Sequence, residues 1–312
     1  NMVDTMMVSV LGHRAIAAVG VVHQPRFVVL AAFMAIGTSV TAIVARRRGE
    51  KNSQGANDCM LNGFAISAVL AIVISAASYI FARQFLYMAG ANNEIIDDAT
   101  AYFRFLLIGI PFNALALIIT AAQRGAGNTK ISMQINLLAN LVNVVFNYLL
   151  IEGKFGFPRL EVSGAAIATT IGYTVAFFAA LLSLKKPEGF LSIYKIKFKL
   201  DRAILKTIYK IGSSAAVEQL CVRIGFLLYA RLVAGLGTES LATHQICLNL
   251  NFFFAIAAGF EIAATTLVGQ NLGAKKPERA EEGVKLSVLM NGGFMAVMGA
   301  IFYIAAPAII EI

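Results

Sequence analysis

Val44-Ala45-Arg46-Arg47-Arg48-Gly49 and Val268-Gly269-Gln270-Asn271-Leu272-Gly273 lie 224 residues apart, and in each a small apolar pair is followed by a glycine four residues on. Working upstream, Ala31-Ala32-Phe33-Met34-Ala35 is matched by Ala255-Ile256-Ala257-Ala258-Gly259. Leu11-Gly12 with Ala15-Ile16-Ala17 is matched by Leu236-Gly237 with Ser240-Leu241-Ala242. Each match is weak alone. Three in one order at a near-constant offset describe a chain that repeats itself. Among membrane proteins, such symmetry marks two halves built around a central site.

The composition places the chain in that class. Hydrophobic residues make up 58% and charged residues 14%, with mean hydropathy +0.74, whereas a soluble domain carries about 25% charged residues. The apolar residues fall in long runs, which predict all-α membrane spans at 27–45, 59–82, 102–122, 131–151, 162–184, 208–235, 241–268 and 286–310. Most can supply the roughly 20 residues that cross a bilayer as helix. Residues 1–22 read as the outer part of a further, first span, giving about nine helices with the first incomplete. Six crossings separate the first and seventh spans, so both run the same way and the repeats are parallel about an axis along the membrane normal. The expected division is an N-terminal lobe over 1–184, a cytoplasmic linker over 185–207 and a C-terminal lobe over 208–312. Residue 312 corresponds to about residue 88 of the first copy. With Asn1 in place of an initiator Met, this leads to the expectation of a chain truncated at both ends, its C-terminal lobe holding helices seven to nine only.

Net charge is +9, yet no basic patch is interleaved with aromatics and no nucleic-acid motif is present, so a nucleic-acid partner is excluded. The lysines and arginines follow the positive-inside rule. With the loop after Ala45 taken as cytoplasmic, 18 of the 26 lie inside and six outside, while Arg223 and Arg231 fall within a span. The basic alternation Ile193–Lys199 reads as a segment on the cytoplasmic lipid surface, or else as a short strand. Cys59, Cys221 and Cys247 show no metal-ligand spacing and read as small core residues. No nucleophile elbow, HExxH or Walker sequence appears, so the chain is not expected to be an enzyme, and no cofactor is implied.

Polar groups inside the spans carry the functional reading, because a charge at the bilayer centre costs about 2.5–3.5 kcal/mol on insertion scales. Asp4 lies eight residues before Gly12, roughly 12 Å below the outer surface at 1.5 Å per residue. It reads as a coupling-cation or proton site, or as half of a structural pair. On the fifth span Asn136, Asn140, Asn143 and Asn147 fall within about 60° of one face, and that face must look inward. Asn143 stands at about the depth of Asp4. Asn carbonyls with one carboxylate suit Na⁺ or a hydrogen-bonded proton, whereas Asn residues that only cement helix packing are the alternative. In the second half, Glu218 and Arg223 lie on the seventh span and Glu261 on the eighth. Arg223 needs a counter-charge, for which Glu261 is the candidate, and His244-Gln245 lies near the outer end of the eighth. These read as cavity-lining groups or a structural network. Pro111 is expected to kink the fourth span.

Val3-Asp4-Thr5-Met6-Met7-Val8 with Leu11-Gly12 and Ala15–Gly20 resembles the first helix of the multidrug and toxic compound extrusion (MATE) family. Gln123–Lys130, Asn140-Leu141-Val142-Asn143, Asn147–Leu150, Val162–Thr169, Leu241–Ile246 and Val268–Ala274 resemble its later helices and turns, in order and across essentially the whole chain. The resemblance implies twelve helices in two six-helix lobes. It implies a multi-pass protein of the plasma membrane, bacterial inner membrane included, acting as a monomer. The implied activity is export of small organic cations or amphipathic drugs in exchange for Na⁺ or H⁺. Asp4 matches the family's acidic residue of the first helix and Asn143 an Asn at the same site, with Na⁺ the metal ion those ligands would take. Asn147 stands where some members have Asp. A lipid-linked oligosaccharide flippase and a non-transporting membrane scaffold are the competing readings.

Overall fold

In the computed structural model, which describes residues 7–8, 11–187, 189–195, 200–234 and 254–310, the helix that begins after Gly12 does not pause at Pro25. It runs unbroken as α1, His13–Gly49, over 37 residues, about 55 Å at 1.5 Å per residue and well beyond a ~30 Å hydrocarbon core. Residues 13–22, expected to close the first span, therefore open the second. Pro25 costs one backbone hydrogen bond, and Arg26 beside it reaches across the bundle to Tyr173.

The remaining helices are α2 (Ser53–Ile80), α3 (Ala82–Met88), α4 (Ile96–Gly125), α5 (Thr129–Glu152), α6 (Glu161–Ser183), α7 (Arg202–Ala234), α8 (Phe254–Gly273) and α9 (Pro277–Ile310). Among the described residues, six helices (α1, α2, α4, α5, α6 and α9) are long and apolar enough to cross a membrane. Helices α4 and α5 fall where the apolar runs put them, and Pro111 lies inside α4.

Helix α4 is the axis of the first bundle, packed by α1, α2 and α6. Its outer half buries Tyr102, Phe103, Leu106, Leu107 and Ile110 against Val22, Val29 and Phe33 of α1 and Ala165 and Ala166 of α6. Its inner half buries Ile118, Ile119 and Ala122 with Val40 and Val44 of α1 and Met60 of α2. Helix α5 packs chiefly on α6. Val69, Ile72 and Val73 on α2 and Leu137, Leu141 and Val145 on α5 remain exposed, the apolar surface a bilayer requires. Cys59 is buried as expected. Cys221 is exposed on α7, so burial on a helix of the second half did not follow from its apolar neighbours; Cys247 lies outside the described residues.

The linker is fastened to α2 on both sides of the basic segment. Asn57 Nδ2 donates to Phe190 O at 3.1 Å, and Asn57 Oδ1 accepts from the Ser192 amide at 3.0 Å. Asn62 Oδ1 accepts from the Asp201 amide at 3.0 Å, and Arg48 stands 4.4 Å from the Phe190 ring centroid. Buried amides thus satisfy linker backbone groups that would otherwise lack partners. Ile193–Lys195 forms one 3₁₀ turn; residues 196–199 lie outside the described residues.

The internal repeat is visible in the backbone. After α1, Glu50 N donates to Arg46 O, Lys51 N to Arg48 O and Asn52 N to Arg47 O. After α8, Ala274 N donates to Gln270 O, Lys275 N to Leu272 O and Lys276 N to Asn271 O. Every donor and acceptor is shifted by 224. Lys51 and Lys275 each take the left-handed conformation, at φ 57° and 58°, which closes both helices in the same way.

Candidate functional site

Helices α5 and α6 meet backbone to backbone where α6 carries small residues. A Cβ on Gly172 would stand 3.0 Å from Ala139 O and 3.4 Å from Asn143 Cβ, and one on Gly164 would stand 2.6 Å from Leu150 O. That proximity lets short polar side chains bridge the helices. Asn147 Nδ2 donates to Asn143 Oδ1 at 3.4 Å, Asn143 Nδ2 donates to Thr169 Oγ1 at 3.1 Å, and Thr169 Oγ1 donates back to Ala165 O at 2.9 Å. All three side chains are buried, Asn147 completely. One turn further along α6, Tyr173 accepts from Arg26 Nη2 and lies beneath its guanidinium. A polar seam therefore runs from α5 through α6 to α1 inside an otherwise apolar bundle.

The seam takes half of the expected Asn face. Asn143 and Asn147 are buried, while Asn136 and Asn140 are exposed. The helical wheel set their angle, but burial also needs a neighbouring helix at the same depth. The close contacts of α6 on α5 fall at Ala139, Asn143 and Leu150, and Asn136 lies below them. Thr169 and Tyr173 of α6 complete the seam. Their signal was present as two hydroxyls four apart on an apolar helix, the spacing of one face. Asp4 lies outside the described residues.

A second polar locus lies between the two repeats. Glu218 and Gln219 of α7 and Glu261 and Thr265 of α8 line a cavity of about 270 Å³ together with Thr38 and Thr41 of α1 and Arg124 of α4. Glu261 is twelve residues before the end of α8, about 18 Å from its cytoplasmic terminus at 1.5 Å per residue. Arg124 sits in the last turn of α4. The fold makes it the cation that shares a cavity with both carboxylates. Its Nη1 donates to Ser132 Oγ at 3.0 Å, while its Nε is buried without a hydrogen-bond partner among the described residues. Arg223 lies on α7 with its side chain outside the described residues, and Gln245 is outside them altogether.

The MatE family model matches residues 1–149 and 214–312. The chain belongs to the MatE family. Relatives include the "Uncharacterized transporter YisQ" of Bacillus subtilis, 26% identical across 98% of this chain and 68% of that protein. The "Probable multidrug resistance protein NorM" of Thermotoga maritima is 26% identical across 100% of this chain and 67% of its own length. Among solved structures, one described as the outward-facing conformation of a multidrug resistance MATE family transporter superposes with a TM-score of 0.88. It is 24% identical and covers 99% of this chain and 68% of that one. The chain thus spans about two thirds of the length of these MatE relatives. It is a multi-pass membrane protein of a transporter family, not an enzyme.

Proposed function

We propose that the protein exports small organic cations and amphipathic drugs across the plasma membrane in exchange for Na⁺ or H⁺, by alternating access between two lobes. In this reading α1–α6 complete the N-terminal lobe and α7–α9 belong to the C-terminal one. The observation that carries it is the buried Asn147–Asn143–Thr169 chain. It lines up carbonyl and hydroxyl oxygens within an apolar bundle, and helical rise from the sequence sets Asn143 at about the depth of Asp4. Buried amides beside a carboxylate form a hard-oxygen site for Na⁺ or a hydrogen-bonded proton.

The inter-lobe cavity supports the substrate class. Two carboxylates, Glu218 and Glu261, face one guanidinium, Arg124, across walls that include Met34, Leu117 and Ile262. Such a lining suits an organic cation with an apolar body. A pyrophosphate-linked lipid would need a strongly cationic cavity, so the flippase reading is disfavoured. Asp4 loaded and Asp4 empty favour different packings of the lobes, and the ion drives the cycle only by its differential affinity for the two. One-for-one exchange of monovalent cations moves no net charge, and a tenfold ion gradient supplies about 1.4 kcal/mol. The test is efflux of a fluorescent cationic dye from proteoliposomes under imposed Na⁺ or H⁺ gradients. Efflux driven by one of the two is expected, and efflux indifferent to both overturns the reading.

A further inference from the structure

Helices α1 and α8 are repeat partners, and they touch each other along equivalent residues. A Cβ on Gly49 would overlap Gln270 O and stand 2.8 Å from Ala274 N, while one on Gly273 would overlap Arg46 O and stand 3.1 Å from Glu50 N. Exchanging each residue for its repeat equivalent, 224 added on α1 and subtracted on α8, converts the first set of contacts into the second. Between them, a Cβ on Gly269 would stand 2.7 Å from the Ala45 methyl, and 45 and 269 are themselves equivalent positions. The pseudo-twofold axis therefore passes through the Ala45–Gly269 pair, and the contact is isologous in the manner of a symmetric dimer interface. Both helices present small residues four apart, Ala45 and Gly49 against Gly269 and Gly273, the pattern that lets helix backbones meet in a membrane.

The position of this contact gives it a role. Thr41 and Thr265, one turn inward and again 224 apart, line the cavity that holds Glu218 and Glu261. The next two turns toward the cytoplasm are the glycine seam. Gln270 Nε2 donates to Gly125 O at 3.0 Å and Thr266 Oγ1 to Arg124 O at 3.4 Å, which adds α4 to the same closure.

We propose that Gly49 and Gly273, with Ala45 and Gly269 on the axis between them, form the latch that holds the cytoplasmic side of the inter-lobe cavity shut, and that its halves separate when the cavity opens inward. This rests on the efflux reading above. The closed seam tolerates no Cβ at either glycine, whereas separated helices tolerate both. An alanine at one of them therefore shifts the equilibrium toward the cytoplasm-open state.

The test is the distance between spin labels on Lys51→Cys and Lys275→Cys, exposed equivalent positions just past the two helix ends. It is read in nanodiscs with Cys59, Cys221 and Cys247 replaced. Gly49→Ala and Gly273→Ala should each raise the ratio of long to short distances by about tenfold or more, equally because their contacts are reciprocal. The double variant should add little, since one methyl already parts the helices. Gly20→Ala on α1 and Gly259→Ala on α8, where a Cβ meets nothing within 4 Å, should leave the distribution unchanged. Should the latch alanines not yield folded protein, Gly269→Ala should open the seam and the swap Ala45→Gly with Gly269→Ala should close it again. Unchanged distances in the alanine variants, or no rescue by the swap, overturn the proposal. The distances are read without drug or ion gradient, so their failure rejects the latch alone, while absent efflux with the expected distances rejects the efflux reading alone.

Discussion

Replacing Asn143 by Ala separates an ion ligand from a packing residue. The substitution deletes, among other contacts, the 3.1 Å donation to Thr169 and the 3.4 Å acceptance from Asn147. Side-chain hydrogen bonds between membrane helices average about 0.6 kcal/mol each, so stability should fall by roughly 1–2 kcal/mol, visible as a modest drop in thermal midpoint in detergent. If Asn143 Oδ1 also contacts the coupling ion, its loss weakens ion binding by about 1.4 kcal/mol or more, a tenfold rise in the ion concentration for half-maximal efflux. Thr169→Val is the matched control. It breaks the same helix-to-helix bond but keeps the Asn143 carbonyl, so it should lower stability comparably and move the ion dependence much less. Equal shifts in ion dependence from the two variants, or none from Asn143→Ala, would refute the assignment and leave Asn143 as packing.

Glu218→Gln and Glu261→Gln, in the cavity shared with Arg124, should each weaken binding of a cationic dye by about tenfold, or ~1.4 kcal/mol. A neutral dye of similar size should bind as before, and tryptophan-free quenching titrations with labelled dyes would read both. At the cytoplasmic end of α1, the hydrogen bond and charge of Arg47, aided by Arg46, hold the Glu50 carboxyl below its ordinary value of 4.5. A depressed carboxylate stabilises the fold above its unfolded value, and that contribution is lost as pH falls through the lower folded value. Thermal midpoints of Glu50→Gln and the parent should therefore differ slightly at pH 7, and the difference should shrink as pH falls below the ordinary value of 4.5. A difference that does not shrink on acidification below pH 4.5 contradicts the ion pair.

What could be read without coordinates was what depends on local chemistry. The Arg46–Lys51 and Gln270–Lys275 corners repeat because similar short sequences end both helices in the same left-handed turn. Apolar runs located α4 and α5 because neither needs more than a bilayer to define it. Features set by a distant partner were not legible. His23-Gln24-Pro25-Arg26 reads as a break between spans, yet α1 continues through it, with Arg26 bound to Tyr173, 147 positions away. Asn136 and Asn143 project at nearly the same angle, and only the depth at which α6 approaches decides that one is exposed and the other buried. Arg124 belongs by sequence to a cytoplasmic turn. It lines the inter-lobe cavity because α8, from the other repeat, packs across that turn through Thr266 and Gln270.

In the proposed function a single carboxylate, Asp4, couples ion entry to drug exit. Asp4→Asn tests it most directly, with dye efflux from proteoliposomes measured under imposed Na⁺ and H⁺ gradients beside the parent protein. The variant is expected to insert and fold normally, to lose gradient-driven efflux and to keep dye binding to the cavity lined by Glu218 and Glu261. Gradient-driven efflux at the parental rate in Asp4→Asn would contradict it.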